Sequence, residues 1–174
     1  MVAQRLMRVS DLQRLYDYNY WANNKLFGVV SQLTPEQFTG EVAGSLGSVR
    51  NTLVHIMSAE WGWLDRAGGP KRGEKLKADD FPTVDSVLQT WDRVEGLMRE
   101  FLSGLADEDL SRNIEFTLGG PTESLPLGDM LHHAAIHAVH HRGQVALLRR
   151  TLGYVPPTFD LLFFFEEKRI SATR

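Results

Sequence analysis

The chain has 174 residues, enough for one domain with a substantial hydrophobic core and too few to favour two. Its formal charge of −3 is spread over scattered acidic and basic residues, with no basic stripe of the kind nucleic-acid binding needs. There is no cysteine, which excludes disulfides, zinc–thiolate clusters and a protein thiol nucleophile.

Met1-Val2-Ala3-Gln4-Arg5 leads into a mixed polar and aromatic helix rather than an apolar signal core, and the longest apolar run, Leu161 to Phe165, is far too short to span a bilayer. The expectation is a cytoplasmic protein with neither membrane nor nucleic acid as partner. From Asp11 to about Leu33, Leu12, Leu15, Tyr16, Leu26, Val29, Val30 and Leu33 recur at three- and four-residue steps, with Ser10 placed to cap a first long helix. Thr34-Pro35-Glu36-Gln37 then carries a capping signature, Thr at N-cap, Pro at N1 and Gln at N3, for one short helical turn. The Gly-rich stretch Gly40 to Gly47 reads as loop. Ser48 caps a second long helix to about Ala67, stopped by Gly68-Gly69-Pro70, and Lys71 to Asp80 reads as a solvated connection.

Val84 to about Leu105 is the clearest amphipathic helix, with Val84, Val87, Leu88, Trp91, Val94, Leu97, Met98 and Phe101 on one face. Asn113 to Thr117 and Glu123 to Leu127 flank Leu118-Gly119-Gly120-Pro121-Thr122, the pattern of a β-hairpin. A fourth long helix runs from Leu127 or Gly128 to Leu152, ending at Gly153 before Pro156-Pro157. A last short helix, Thr158 to Arg169, carries Phe159, Leu162, Phe163 and Phe165, read as closing one end of the core. The predicted fold is all-α: a single-domain four-helix bundle over residues 1–174, with a small β-hairpin before helix four and a short C-terminal helix.

His55 falls in the second long helix, and His137 and His141 lie four residues apart in the fourth. Four residues turn about 40° around a helix, so both imidazoles can reach one ion, and facing helices of a bundle can bring His55 to them. Three neutral nitrogens with an open position are the usual donor set of a catalytic rather than a structural zinc site. Nickel, iron and cobalt also accept imidazole. The H-x-x-x-H spacing arises by chance in a His-rich helix, and His132, His133 and His140 include such bystanders. His133 is the serious competitor: it precedes His137 by four residues and can replace a ligand, add a fourth, or line a pocket.

Tyr18-Asn19-Tyr20-Trp21-Ala22-Asn23-Asn24-Lys25-Leu26 lies on the first helix, and Ser48 with Asn51-Thr52-Leu53-Val54-His55 and Glu60-Trp61-Gly62-Trp63 on the second. His133-Ala134-Ala135-Ile136-His137-Ala138-Val139-His140-His141-Arg142-Gly143-Gln144 lies on the fourth, followed by Leu152-Gly153-Tyr154-Val155-Pro156-Pro157-Thr158-Phe159-Asp160-Leu161. In these motifs and their order, over nearly its whole length, the chain resembles the DinB/YfiT-like metalloenzyme family. The resemblance implies a four-helix bundle, a homodimer, and one divalent metal, zinc or nickel foremost, held by His55, His137 and His141. Characterised relatives include transferases that use low-molecular-weight thiols such as bacillithiol, and isomerases using mycothiol. It therefore implies a small-molecule substrate and activation of a thiol cosubstrate for transfer to an electrophile. A metal-hydroxide hydrolase and a non-catalytic metal-binding or stress-response module are the alternatives.

Around this site Asn51, four residues before His55 on the same face, is placed for contact with a ligand imidazole, with core hydrogen bonding as the plainer role. Asn19 and Asn23 divide evenly between pointing at the site and fixing packing. Glu60, about 140° around the helix from His55, suits an ion pair with an arginine such as Arg142 better than ligation. Trp21, Trp61, Trp63 and Trp91 read as packing, and Gly143 as permitting close helix approach.

Overall fold

A computed structural model describes residues 7–43 and 46–172. The lead-in Met1 to Arg5 and the centre of the Gly40 to Gly47 loop therefore lie outside the described residues. The helices are α1 (Val9–Val30), α2 (Pro35–Thr39), α3 (Val49–Arg66), α4 (Val84–Ser103), α5 (Leu127–Thr151) and α6 (Leu161–Ser171), with hairpin strands β1 (Asn113–Thr117) and β2 (Thr122–Pro126) before α5. Both α1 and α3 pack on α4 and on α5. The four long helices thus close a ring in the order α1, α4, α3, α5, and the α3–α5 seam carries the histidines.

The ring closes because each helix buries one stripe. On α4 it is Val87, Trp91, Val94, Met98 and Leu102, spaced four, three, four and four apart, with Trp91 edge-on to Phe27 at 5.0 Å between centroids. From α1 and α3 come Leu12, Tyr16, Leu26, Leu53, Ile56 and Leu64, all fully buried, each aliphatic side chain stabilising the fold by about 1.5–3 kcal/mol. Thr34 and Gln37 form the expected capping box of α2, and Ser48 accepts from the Asn51 N–H at the start of α3. In the hairpin, pairing runs from Asn113 with Pro126 to Thr117 with Thr122. Ile114 and Phe116 face inward, Phe116 meets Trp63 edge-on at 5.3 Å, and Gly119 takes the positive φ the turn needs. The Leu127 N–H then donates to the Arg112 carbonyl at 2.8 Å, which anchors the start of α5.

Several expectations are corrected. Helix α1 starts at Val9, one residue before the position read as its Ser10 cap, because the Val9 N–H donates to the Asp107 carboxylate at 2.8 Å and the Arg8 N–H to Asp11; the cap comes from 98 residues away. Helix α6 starts at Leu161 with Asp160 as its cap. In that phase Phe164 is the aromatic buried against Tyr18 and Ala22, while Leu162, Phe163 and Phe165 stay exposed and Phe159 is half-buried. Gly143 is exposed with open space where a Cβ would stand, so no close helix approach among the described residues requires it. The Lys71 to Asp80 connection is not simply solvated: it ends in a 3₁₀ turn, Ala78–Asp80, and Arg72 folds back onto α3, where its Nη1 donates to the Ser58 carbonyl at 2.6 Å. Among the described residues no helix is long and apolar enough to cross a membrane.

Candidate metal centre

The Nε2 atoms of His55, His137 and His141 form a nearly equilateral triangle, with separations of 3.2, 3.1 and 3.1 Å. Nitrogens about 2.1 Å from a shared ion stand about 3.0 Å apart at right angles and about 3.4 Å apart at the tetrahedral angle. The triangle lies between these limits and is compatible with a divalent metal capped on one face. Three imidazole nitrogens aimed at one point cannot all satisfy one another, since a neutral ring has one N–H and one lone pair; a cation at their focus resolves the conflict.

The tautomer of His141 is set locally. Its Nδ1–H donates to Gln144 Oε1 at 2.7 Å, which leaves the Nε2 lone pair facing the triangle. Gln144 Nε2 in turn donates to His140 Nε2 at 3.2 Å. Gln144 is the site residue that residue-level reading missed; its position three after His141, on the same helical face, was the signal available. Burial, then the neighbouring His141 and His55, pushes the His137 pKa down to about 4. His55 is lowered in the same way, first by burial, then by His141 and Lys75. Both rings are thereby kept neutral and able to ligate near neutral pH.

The triangle borders a cavity of about 590 Å³ on the α3–α5 seam, within the size range of small-molecule sites. His55 and His137 form part of its wall, with Asn51 and His133 beside them and Arg72 and Lys75 contributed by the connector. Leu118 at the hairpin tip and Leu46 close the rim.

His133 stands apart from the triangle, its ring 6.0 Å from that of His137 and edge-on to Trp63 at 5.2 Å. Asn51 also lines the cavity, but its Nδ2 donates to the Leu46 carbonyl rather than to His55. Asn19 and Asn23 are buried elsewhere: both accept from Arg142 Nη1, Asn23 at 2.9 Å. Glu60 pairs with the Tyr20 hydroxyl at 2.6 Å rather than with Arg142, and burial raises its pKa to about 7 against the pull of Tyr20 and Arg142. A second polar cluster thus lies inside the bundle, and it takes Asn19 and Asn23 into packing rather than toward the metal site.

A sequence model of the DinB family matches residues 7–172. The protein named DinB of Bacillus subtilis (strain 168) is 24% identical over 164 residues, covering 89% of this chain and 94% of that protein. The uncharacterized protein YizA of the same organism is 26% identical over 151 residues, with 83% and 90% coverage. A crystal structure of a DinB-like protein from Bacillus cereus ATCC 10987 aligns with TM-score 0.73 and 23% identity over 88% of this chain and 99% of the other. A conserved protein from Enterococcus faecalis aligns with TM-score 0.58 and 18% identity, over 83% and 96%. At these identities the structural likenesses establish the fold.

Proposed function

Since the chain belongs to the DinB family, we propose that it is a metal-dependent enzyme that binds one divalent ion, zinc or nickel, at His55, His137 and His141 and activates a low-molecular-weight thiol for transfer to a small electrophile. The observation that carries this reading is the convergence of three Nε2 atoms within 3.2 Å at the wall of a ligand-sized cavity. A divalent ion with three neutral ligands supplies Lewis acidity that holds an adjacent thiol as thiolate near neutral pH. The chain supplies the rest. Gln144 fixes the His141 tautomer, and the depressed His55 and His137 pKa values keep protons off the ligand nitrogens. Trp63 and Leu118 bring apolar surface to the cavity for an acceptor. The chain has no cysteine, which is consistent with a thiol supplied by a cosubstrate.

Homodimer formation belongs to the same reading, supported by Ile136, Val139 and Leu147 exposed along α5; light scattering at the monomer mass would remove it. The decisive experiment is elemental analysis of untagged protein purified without chelator, beside His55→Ala, His137→Ala, His141→Ala and His133→Ala. Near-stoichiometric metal, lost in the first three and kept in the fourth, is expected, together with thiol-dependent consumption of an epoxide or chloro-aromatic. Consumption of an activated ester without thiol would turn the reading to a hydrolase; metal without turnover would turn it to a binding module.

A further inference from the structure

The cavity beside the histidines is lined by Arg66, Arg72 and Lys75 and, among the described residues, by no carboxylate. None of these three cations has a carboxylate within ion-pair distance among the described residues; Asp65, the acidic neighbour on α3, is taken by the Lys71 ammonium at 2.8 Å and by the Arg72 backbone N–H. Nor are the two guanidinium groups far apart. The Nη1 atoms of Arg72 and Arg66 approach one point, the place a Cβ on Gly62 would occupy, at 2.8 and 3.1 Å. Like charges this close repel, and here the sequence provides a glycine that leaves them room.

Each guanidinium is held by only part of its donor set. Arg72 Nη1 donates to the carbonyl and hydroxyl of Ser58, and Arg66 Nη1 to the Gly62 carbonyl while its guanidinium rests over the Trp63 ring at 5.2 Å. These side-chain anchors are neutral; Asp65 acts on the Arg72 charge only from beyond ion-pair distance, and a concave wall of one sign concentrates counter-ions. A metal at the histidine triangle would add two further positive charges beside the same cavity.

We propose that Arg72 and Arg66, with Lys75, form an oxyanion subsite that binds a carboxylate, or a chemically equivalent phosphate, carried by the molecule whose other end meets the histidine triangle. The proposal deepens the reading of that triangle as the thiol-activating centre and rests on it for the ligand's second end. Ser58 and Gly62 lie about one and two turns beyond His55 along α3, which places the anion about 5–10 Å along the helix from the triangle. The ligand is therefore an elongated anionic thiol or acceptor, and Arg forks suit its planar carboxylate.

The test uses protein loaded with divalent cobalt and two thiols of equal length, mercaptohexanoate and mercaptohexanol, titrated by their sulfur-to-cobalt absorption. The acid should bind about tenfold more tightly than the alcohol, as expected for one charge-assisted hydrogen-bonded contact. Arg72→Met should reduce that advantage to less than twofold without weakening the alcohol. Gly62→Ala should do the same, since its methyl displaces both guanidiniums while retaining the charges and improving helix propensity; it guards against a misfolded connector in the arginine variant. Equal affinities in the native protein, or an advantage that survives both variants, would overturn the subsite. If neither thiol gives a sulfur–cobalt band, thiol activation fails instead. Calorimetry with succinate then decides the subsite alone: binding lost in Arg72→Met supports it, and no binding to the native protein ends it.

Discussion

Glu60→Gln isolates the energetic consequence of burying a carboxyl inside this bundle. Glu60 is almost wholly buried, accepts from Tyr20 through one oxygen, and among the described residues has no hydrogen-bond partner for the other. Burial raises its pKa from 4.5 to about 7, so below pH 4.5 the group is protonated in both states and its contribution to stability is fully present. As pH rises the unfolded chain ionises first, and the contribution is lost by the time pH passes about 7. The gap between 4.5 and about 7, at about 1.4 kcal/mol per pH unit, amounts to about 3 kcal/mol. For a chain of this size that is about 6–12 °C in Tm. His137 works the other way: its folded pKa of about 4 lies below its ordinary 6.5, so its contribution is present above 6.5 and lost as pH falls toward 4. The two windows overlap, and the native profile alone will look nearly flat. Urea unfolding in chelator from pH 4.5 to 7.5 should therefore be compared between native protein and Glu60→Gln, whose amide oxygen keeps the Tyr20 bond. The native protein should lose about 3 kcal/mol relative to the variant across that range. Parallel profiles would refute the reasoning and mean that Arg142 and Tyr20 compensate the charged carboxylate after all.

Gln144→Leu removes the acceptor of the His141 Nδ1–H and should weaken zinc binding by about 10–100-fold, measured against a chromophoric chelator, whereas Gln144→Glu should not weaken it; an unchanged dissociation constant in the leucine variant would reduce Gln144 to packing. Arg142→Met leaves the amide oxygens of Asn19 and Asn23 buried without their shared donor, at about 1–3 kcal/mol each, yet should leave metal stoichiometry intact. Loss of metal in that folded variant would join the two clusters that the structure separates. Phe164→Ala should cost about 3–5 kcal/mol in urea while Phe163→Ala stays within about 0.5 kcal/mol; equal costs would mean that α6 does not sit in the phase that buries Phe164 against Tyr18.

What could be read from the sequence follows the range over which each interaction acts. The Trp91 stripe of α4 and the Thr34–Gln37 capping box were legible because periodicity and capping are local, and the His137–His141 spacing because a helix fixes it. The Asp107 cap on α1 was not, because the accepting carboxylate lies 98 residues away, and neither were the partners of Asn19 and Asn23, since an amide beside a metal motif and an amide under an arginine have the same local pattern. The connector is the most instructive case. Lys71, Arg72, Gly73 and Lys75 have the composition of a solvated loop, and Lys71 and Lys75 are indeed exposed, yet Arg72 is tied to Ser58 and the segment walls the cavity. Composition reports that a side chain is charged, not whether it faces bulk water or a concave surface. Here the discriminating feature was on the opposite element: Gly62, a residue that costs a helix about 1 kcal/mol, stands in α3 where two guanidiniums need its missing Cβ. An unfavourable residue within an otherwise regular helix marks where a distant segment comes close, and the connector's basic residues become interpretable only once that glycine is read with them.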